Sequence, residues 1–253
     1  MLEIIRKFVL FTAISLLISG CAASQAVDDR DRAISNVLKD AARNAQASFD
    51  YHSATSYFTK LYELEPDNIN ALIGLAQNLR YSGSSRQSIK ILRNGIKKHG
   101  NNPKLIIELA KSQLSSSMIV DADETLVQAR ELAPDNWEVH SVSGILFDRQ
   151  GKYQMAQNSY QRALQLNPNN SSVMNNLGLS LAQSGKLDDG IKVLERLVNS
   201  ENSNIQGRQN LALLYGLKGN FNDAERLIRE DLPPEAVAEN MATLRRYYSR
   251  TSK

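Results

Sequence analysis

Residues 137–170 read WEVHSVSGILFDRQGKYQMAQNSYQRALQLNPNN, and this stretch decides the fold. Counting Trp137 as position 1, Gly144 stands at 8, Phe147 at 11, Gly151 at 15, Ala156 at 20, Tyr160 at 24, Ala163 at 27 and Pro168 at 32. Apolar residues recur at helical spacing on either side of Gly151, which predicts two amphipathic helices. Glycine supplies the turn between them, where a positive φ is often needed. Pro168 stops the second helix and opens the next connection.

The same phase runs outward in both directions. Starts at Ser35, Ile69, Pro103, Trp137, Ser171 and Ile205 are each 34 residues apart, with no insertion. The stretch from Ser171 places Leu177-Gly178, Leu181, Gly185 and Leu194 at matching positions, and the stretch from Ile205 places Leu211-Ala212, Tyr215, Gly219, Ala224 and Ile228 there. Pro103 onward gives Leu109-Ala110, Ala122, Leu126, Ala129 and Pro134; Ile69 onward gives Leu75-Ala76, Leu79, Gly83 and Leu92. The first stretch is the weakest, with Ala41-Ala42, Ala54, Phe58, Leu61 and Pro66. Small residues at 8 and 20 suit a close crossing of two helices, and larger apolar residues at 7, 11 and 24 fill the space beside it. A pair of this kind leaves an apolar face that only a neighbouring pair covers.

This pattern resembles the tetratricopeptide repeat. The resemblance implies an all-α, right-handed superhelical solenoid of six helix-pair repeats over 35–68, 69–102, 103–136, 137–170, 171–204 and 205–232. A capping helix and tail are expected over 233–253. There Pro233-Pro234 breaks the preceding helix, and Val237, Met241, Leu244 and Tyr248 fall on one helical face. Three departures predict looser helix ends: Gly100 followed by Pro103, Asn202 at position 32, and Ser117 in place of the turn glycine.

The chain opens differently. Arg6 and Lys7 precede an eleven-residue, mainly apolar run, Phe8 to Ile18. That length fits a secretory h-region and falls short of the roughly 20 residues of a spanning helix. The run ends in Leu17-Ile18-Ser19-Gly20-Cys21, which resembles the bacterial lipobox. The resemblance implies a cleaved signal peptide over 1–20 and a diacylglycerol thioether and an acylated amino group on Cys21. At about 0.8 kcal/mol per buried CH₂ such an anchor is effectively permanent. Residue 22 is alanine and not aspartate; by similarity to lipoproteins of enteric bacteria, this implies sorting to the outer membrane, with an anchor on the periplasmic face, rather than retention at the inner membrane. Residues 21–34 are expected to form the lipidated cysteine and a short polar tether whose end can already be helical. As the single cysteine, Cys21 has no partner for an internal disulfide.

Composition argues against several functions. A formal net charge of +3, with basic runs no longer than Lys97-Lys98 and Arg245-Arg246, lacks the footprint of a nucleic-acid binder. His52, His99 and His140 are 47 and 41 residues apart, with no cysteine or histidine at ligand spacing, so no metal or cofactor site is expected. His140 falls at a packing position and reads as a structural histidine. Asp121 and Asp123 open like a calcium loop, but none follows, and helix capping is the expected role. No phosphate-cradling loop, nucleophile elbow or dinucleotide fingerprint occurs, so an enzyme is not expected.

Binding is the remaining class. By similarity to tetratricopeptide proteins, positions 2, 5, 6, 9, 12 and 13 of each first helix face a ligand. Here they include Lys39, Arg43, Arg80, Lys104, Lys111 and Arg149, against Glu138 and Asp148. They also include Asn175, Asn176, Gln209 and Asn210. Asparagine and glutamine offer donor and acceptor together and so can bond a peptide backbone. The basic set suits an acidic segment or a C-terminal carboxylate. The expected partner is a protein that presents a peptide or a helix.

The lipobox, the six repeats and the tail Asp231-Leu232-Pro233-Pro234-Glu235, with Asn240 and Leu244-Arg245-Arg246, together resemble the TadD family of tight-adherence (Flp) pilus lipoproteins. That resemblance implies an outer-membrane scaffold or pilotin that helps to localise or assemble a secretin. A type IV pilus pilotin and a general cell-envelope scaffold are the alternatives.

Overall fold

The structure, a computed structural model, describes residues 30–251. Cys21 and the signal segment lie outside the described residues. The described chain is helical throughout and contains no strand. α1 covers residues 30–47. It is followed by α2 (Tyr51–Leu64), α3 (Ile69–Tyr81), α4 (Ser85–His99), α5 (Pro103–Ser115), α6 (Ile119–Leu132) and α7 (Trp137–Arg149). Then come α8 (Tyr153–Leu166), α9 (Ser171–Gln183), α10 (Leu187–Val198), α11 (Ile205–Lys218), α12 (Phe221–Arg229) and α13 (Pro234–Thr251). The fold is all-α, of the tetratricopeptide helix-pair type. Two compact units divide the chain, the first ending at Glu108 and the second beginning at Leu109.

The helices begin where local chemistry makes them begin. α3, α5, α7, α9 and α11 each start one residue after an asparagine: Asn68, Asn102, Asn136, Asn170 and Asn204. Each asparagine Oδ1 accepts a first-turn backbone N–H, at 2.9 Å from Asn70, 3.0 Å from Lys104, 2.9 Å from Glu138, 3.0 Å from Val173 and 2.8 Å from Gly207. Such a cap satisfies an otherwise unpaired donor and stabilises a helix by about 1 kcal/mol. Asp121 and Asp123 do not cap: the residue preceding α6 is Met118, and Asp121 sits in the helix's first turn. A carboxylate there still gains from the positive end of the helix dipole.

The turn inside each pair is the same six times. The N–H of Asp50, Ser84, Met118, Lys152, Lys186 and Asn220 donates to the carbonyl five residues earlier, on Ala45, Leu79, Gln113, Phe147, Leu181 and Tyr215. This is the Schellman closure, which holds the preceding residue in left-handed backbone. Glycine occupies that residue four times, as Gly83, Gly151, Gly185 and Gly219. Phe49 and Ser117 take the same conformation at φ 59° and 58° without being glycine. The turn is therefore imposed by the packing of the pair even where the sequence opposes it.

In the first unit the core is built from Ala54, Leu61, Leu72, Leu75, Ala76, Leu92 and Leu105 on α2 to α5. In the second unit one cluster joins Met174, Leu194, Leu197, Leu211, Leu214 and Leu227 with Val237 and Met241 of α13. Each fully buried leucine contributes roughly 1.5–3 kcal/mol. α9 and α10 cross so closely that a Cβ on Gly190 would lie 2.5 Å from the Gly178 carbonyl oxygen. On α13, Leu244 fills the space over Gly216 and the Tyr248 ring meets Phe221 edge-on at 5.5 Å. Asp231 is buried beside α11, where it pairs with Arg208.

Candidate functional site

The buried face of each first helix fixes which residues turn away from the core. On α9 the buried residues are Val173, Met174, Asn175, Leu177, Gly178 and Ser180. At 3.6 residues per turn the opposite face carries Ser172, Asn176, Leu179 and Gln183. These are repeat positions 2, 6, 9 and 13; in α3, α5 and α7 position 6 is instead buried, as Gly74, Glu108 and Val142.

In the first unit a cleft of about 340 Å³ opens along α1 and α3, lined by Lys39, Arg43, Gln46, Phe58, Asn70 and Gln77 among others. Its cations already have acidic neighbours. Lys39 lies 3.3 Å from Glu65, and Arg43 is 3.9 Å from Asp40. Hydrogen bonds from Ser35, then Asn68 and Lys39, hold the Glu65 carboxyl below the usual carboxylate range, against the opposing pull of desolvation. Arg80 is largely buried and donates from Nε to Glu108 Oε1 at 2.8 Å; their side chains are 13% and 2% exposed. The guanidinium also covers Tyr81 at 4.4 Å, and Tyr81 stacks on Tyr51. Lys104 is exposed.

In the second unit Lys111 donates to Glu138 at 3.0 Å, while Arg149 is exposed. Of the six cations expected to greet an acidic ligand, Lys39, Arg43, Arg80 and Lys111 therefore have acidic partners within their own units. The amides fare differently. Asn210 Nδ2 donates to Asn175 Oδ1 at 2.7 Å, bringing two of the four together. Asn176 is half-buried and Gln209 exposed beside them. His140 Nε2 sits 2.7 Å from the Pro134 carbonyl oxygen. Among the described residues no group of three or more histidine, cysteine or acidic side chains could hold a metal ion. Among the same residues no helix is long and apolar enough to cross a membrane.

Asp148, named above as an acidic member of the face, turns to the structure's interior. It accepts from Ser180 Oγ at 2.6 Å and Tyr160 Oη at 2.8 Å, so it ties α7 to both α8 and α9. Burial pushes its carboxyl up, and the two hydrogen bonds only partly oppose this. The Tyr160 phenol is pushed up by burial and by the Asp148 charge. A carboxyl whose folded pKa exceeds its unfolded value stabilises fully below the unfolded pKa and loses that contribution as pH rises through the folded one. Asp148→Asn keeps an acceptor and removes the charge. Its melting temperature relative to wild type is expected to climb as pH is raised from 4 to 7; parallel curves for the two proteins would contradict the assignment.

A row of side chains that charge and amide counting passes over completes the site. Position 9 holds Ile145, Leu179 and Leu213 on α7, α9 and α11, where the first three repeats hold Arg43, Gln77 and Lys111. Leu213 is 41% exposed. Ile145 and Leu179 are half-buried and pack against the core clusters, so Leu213 is the exposed member of this row.

Comparison with known proteins agrees with this architecture. Residues 142–204 match the family described as Tetratricopeptide repeat. No curated protein matches the sequence. Among solved structures, the APC/C hetero-tetramer Cut9–Hcn1 is similar with a TM-score of 0.69 at 20% identity, over 88% of this chain and 46% of that one. A tetratricopeptide protein of Thermus thermophilus gives 0.59 at 18%, over 69% of this chain and 97% of its own. Pseudomonas aeruginosa PilF gives 0.59 at 13%, over 84% and 98%. At these identities the likeness is one of fold, and the class it defines is the tetratricopeptide-type helical repeat protein.

Proposed function

We propose that this chain is an outer-membrane-anchored tetratricopeptide lipoprotein that acts as a protein-binding scaffold in assembly of a tight-adherence (Flp) pilus, with the secretin or another secretion component as its partner. The observation that carries the binding role is the set of outward faces on the first helices, which present amides and aliphatic side chains and no catalytic constellation. The anchor rests on Leu17-Ile18-Ser19-Gly20-Cys21, and the pilus assignment rests on the resemblance of the lipobox, repeats and tail to the TadD family. A type IV pilus pilotin is the second reading, favoured by the fold it shares with PilF across nearly all of that protein's length.

Two experiments test it. In cells fed labelled palmitate, the wild-type chain is expected to carry label and to fractionate with the outer membrane, whereas Cys21→Ala carries none and is released. Deleting the gene is expected to abolish heat-stable secretin multimers and surface pili. Intact multimers and pili after deletion would remove both pilus readings, and unlabelled wild-type chain would remove the anchor.

A further inference from the structure

α4 carries cations at Arg86, Lys90, Arg93 and Lys97, spaced 4, 3 and 4 residues apart, and no acid at all. That spacing puts the four on one side of the helix. The side opposite holds the buried Ser88, Ile89, Leu92 and Gly95, and all four cations are exposed. A search for runs of adjacent cations misses such a stripe. Among the described residues no ion pair engages the Arg86, Lys90 or Lys97 side chain, while Lys98 beside them pairs with Asp67 at 2.8 Å. Lys97, in the last turn, suits the helix dipole, but Arg86 stands in the first turn, where a cation meets the positive end and costs stability. Helix chemistry alone therefore does not account for the stripe. The charge is also regional. Residues 30–108 hold twelve lysines and arginines against seven acids, and residues 109–251 hold fifteen against seventeen. Aromatic rings stand at the near end. Tyr51 opens α2, and Tyr81 closes α3 a short turn before Arg86, so these rings lie where the stripe begins. Phe49 meets Tyr51 edge-on at 6.3 Å and Tyr51 stacks on Tyr81 at 5.0 Å, with Phe49 76% and Tyr81 52% exposed.

We infer that the outer side of α4, with the aromatic shelf at its start, docks on a bilayer surface that carries anionic phospholipid and so holds the first unit against the membrane. A row of cations binds a sheet of phosphates without a fixed bonding geometry, and each is worth about fivefold in affinity near such a surface. Exposed aromatic rings settle at the headgroup level, with the apolar body inward and the tyrosine hydroxyl in water. Placement selects the membrane among polyanions. The described chain begins nine residues after Cys21, a length that reaches at most about 30 Å. α1 is fastened to the first unit through Ser35 and Lys39, both of which donate to Glu65. An acylated Cys21 therefore keeps the stripe within reach of the headgroups. A nucleic acid or an acidic protein would have to be captured from solution, without that advantage.

This inference rests on the anchored-lipoprotein reading above, and its test separates the two. The full chain, purified from membranes, is reconstituted into vesicles of phosphatidylcholine alone or of an equal mixture with phosphatidylglycerol. A thiol-reactive fluorophore is placed through Asn94→Cys on the exposed side of α4 or, as control, through Asn70→Cys in the cleft along α1 and α3. Lipid spin-labelled at the headgroup is expected to quench the dye at 94 strongly in the anionic vesicles and weakly in the neutral ones, and the dye at 70 weakly in both. The variant Arg86→Gln/Lys90→Gln/Lys97→Gln is expected to shift the ratio of docked to lifted chain by roughly a hundredfold and so erase the difference. Salt at about 1 M, where the screening length is about 3 Å, is expected to do the same. The three substituted residues are exposed, so the fold is retained. Quenching at 94 that is equal in the two vesicles, unchanged by the triple variant or matched at 70 would overturn the inference. So would capture of duplex DNA or of an acidic protein by the same cations with no difference between the vesicles. The anchor is read separately. Wild-type chain that takes up the thiol dye has a free Cys21, which removes the anchor, and the quenching comparison is then made in the Cys21→Ala background with the same outcomes.

Discussion

Replacing Arg80 with alanine is expected to lower the stability of the first unit by about 3 kcal/mol, because it removes the close cationic partner of a buried carboxylate. Glu108 is 2% exposed, and Arg80 supplies its charge partner at 2.8 Å. Gln77 Nε2 also approaches Glu108, at 3.5 Å, but carries no charge. The size of the loss reflects the asymmetry of buried pairs: removing both partners costs far less than removing one. The double variant Arg80→Met/Glu108→Leu should therefore recover most of the loss. Urea midpoints followed by far-ultraviolet circular dichroism read both effects. An Arg80→Ala chain within about 0.5 kcal/mol of wild type would show that Glu108 reaches water or another cation.

Gly190→Ala is expected to destabilise the second unit by about 3 kcal/mol or more, as forced overpacking against something that does not yield. The added Cβ would lie 2.5 Å from the Gly178 carbonyl oxygen and 3.2 Å from the Ala182 nitrogen. Both are backbone atoms, so no rotamer relieves the clash, and α9 and α10 must separate. Their separation opens the core around Leu194 and Leu197. Gly185→Ala is the control. It meets nothing within 4 Å, and its φ of +85° leaves only a local backbone penalty, about 1–2 kcal/mol. Equal losses from the two variants would contradict a tight crossing at Gly190.

Most of the fold was legible because one period repeats. Five of the six starts read from apolar spacing, Ile69, Pro103, Trp137, Ser171 and Ile205, are the residues at which α3, α5, α7, α9 and α11 begin, while Ser35 lies inside α1. The tail's apolar face is also as read, with Val237 and Met241 buried and Leu244 over Gly216. The capping asparagines were equally periodic, but polar residues just before a helix carry no weight in a search for apolar spacing. Phe49 and Ser117 were less accessible. Their left-handed backbone is enforced by the closing hydrogen bond and the helix pair around it, and neither side chain signals it.

The binding face was read less well, for a physical reason. Counting charges at outward positions treats each side chain as free, and pairing is a property of three dimensions. Arg80 meets Glu108 and Lys111 meets Glu138, in each case across one repeat boundary, so the cations answer acids of their own units. Asp148 likewise serves α8 and α9 from a position expected to face a ligand. Part of the tail that carries the family resemblance has a structural duty as well. Asp231 binds Arg208 and Leu232 packs against the core, so these two residues would be required in any protein closed by such a helix.

The most direct measurement for the account as a whole is site-specific photocrosslinking in the native host, with Cys21 intact and a photoreactive residue placed at 213 or, separately, at 120, where Val120 is exposed on α6. The account predicts that the secretin subunit is crosslinked from position 213 and not from position 120, and that the product is lost when Cys21→Ala releases the chain from the membrane. Absence of the secretin from position 213, or equal yield from both positions, would contradict it.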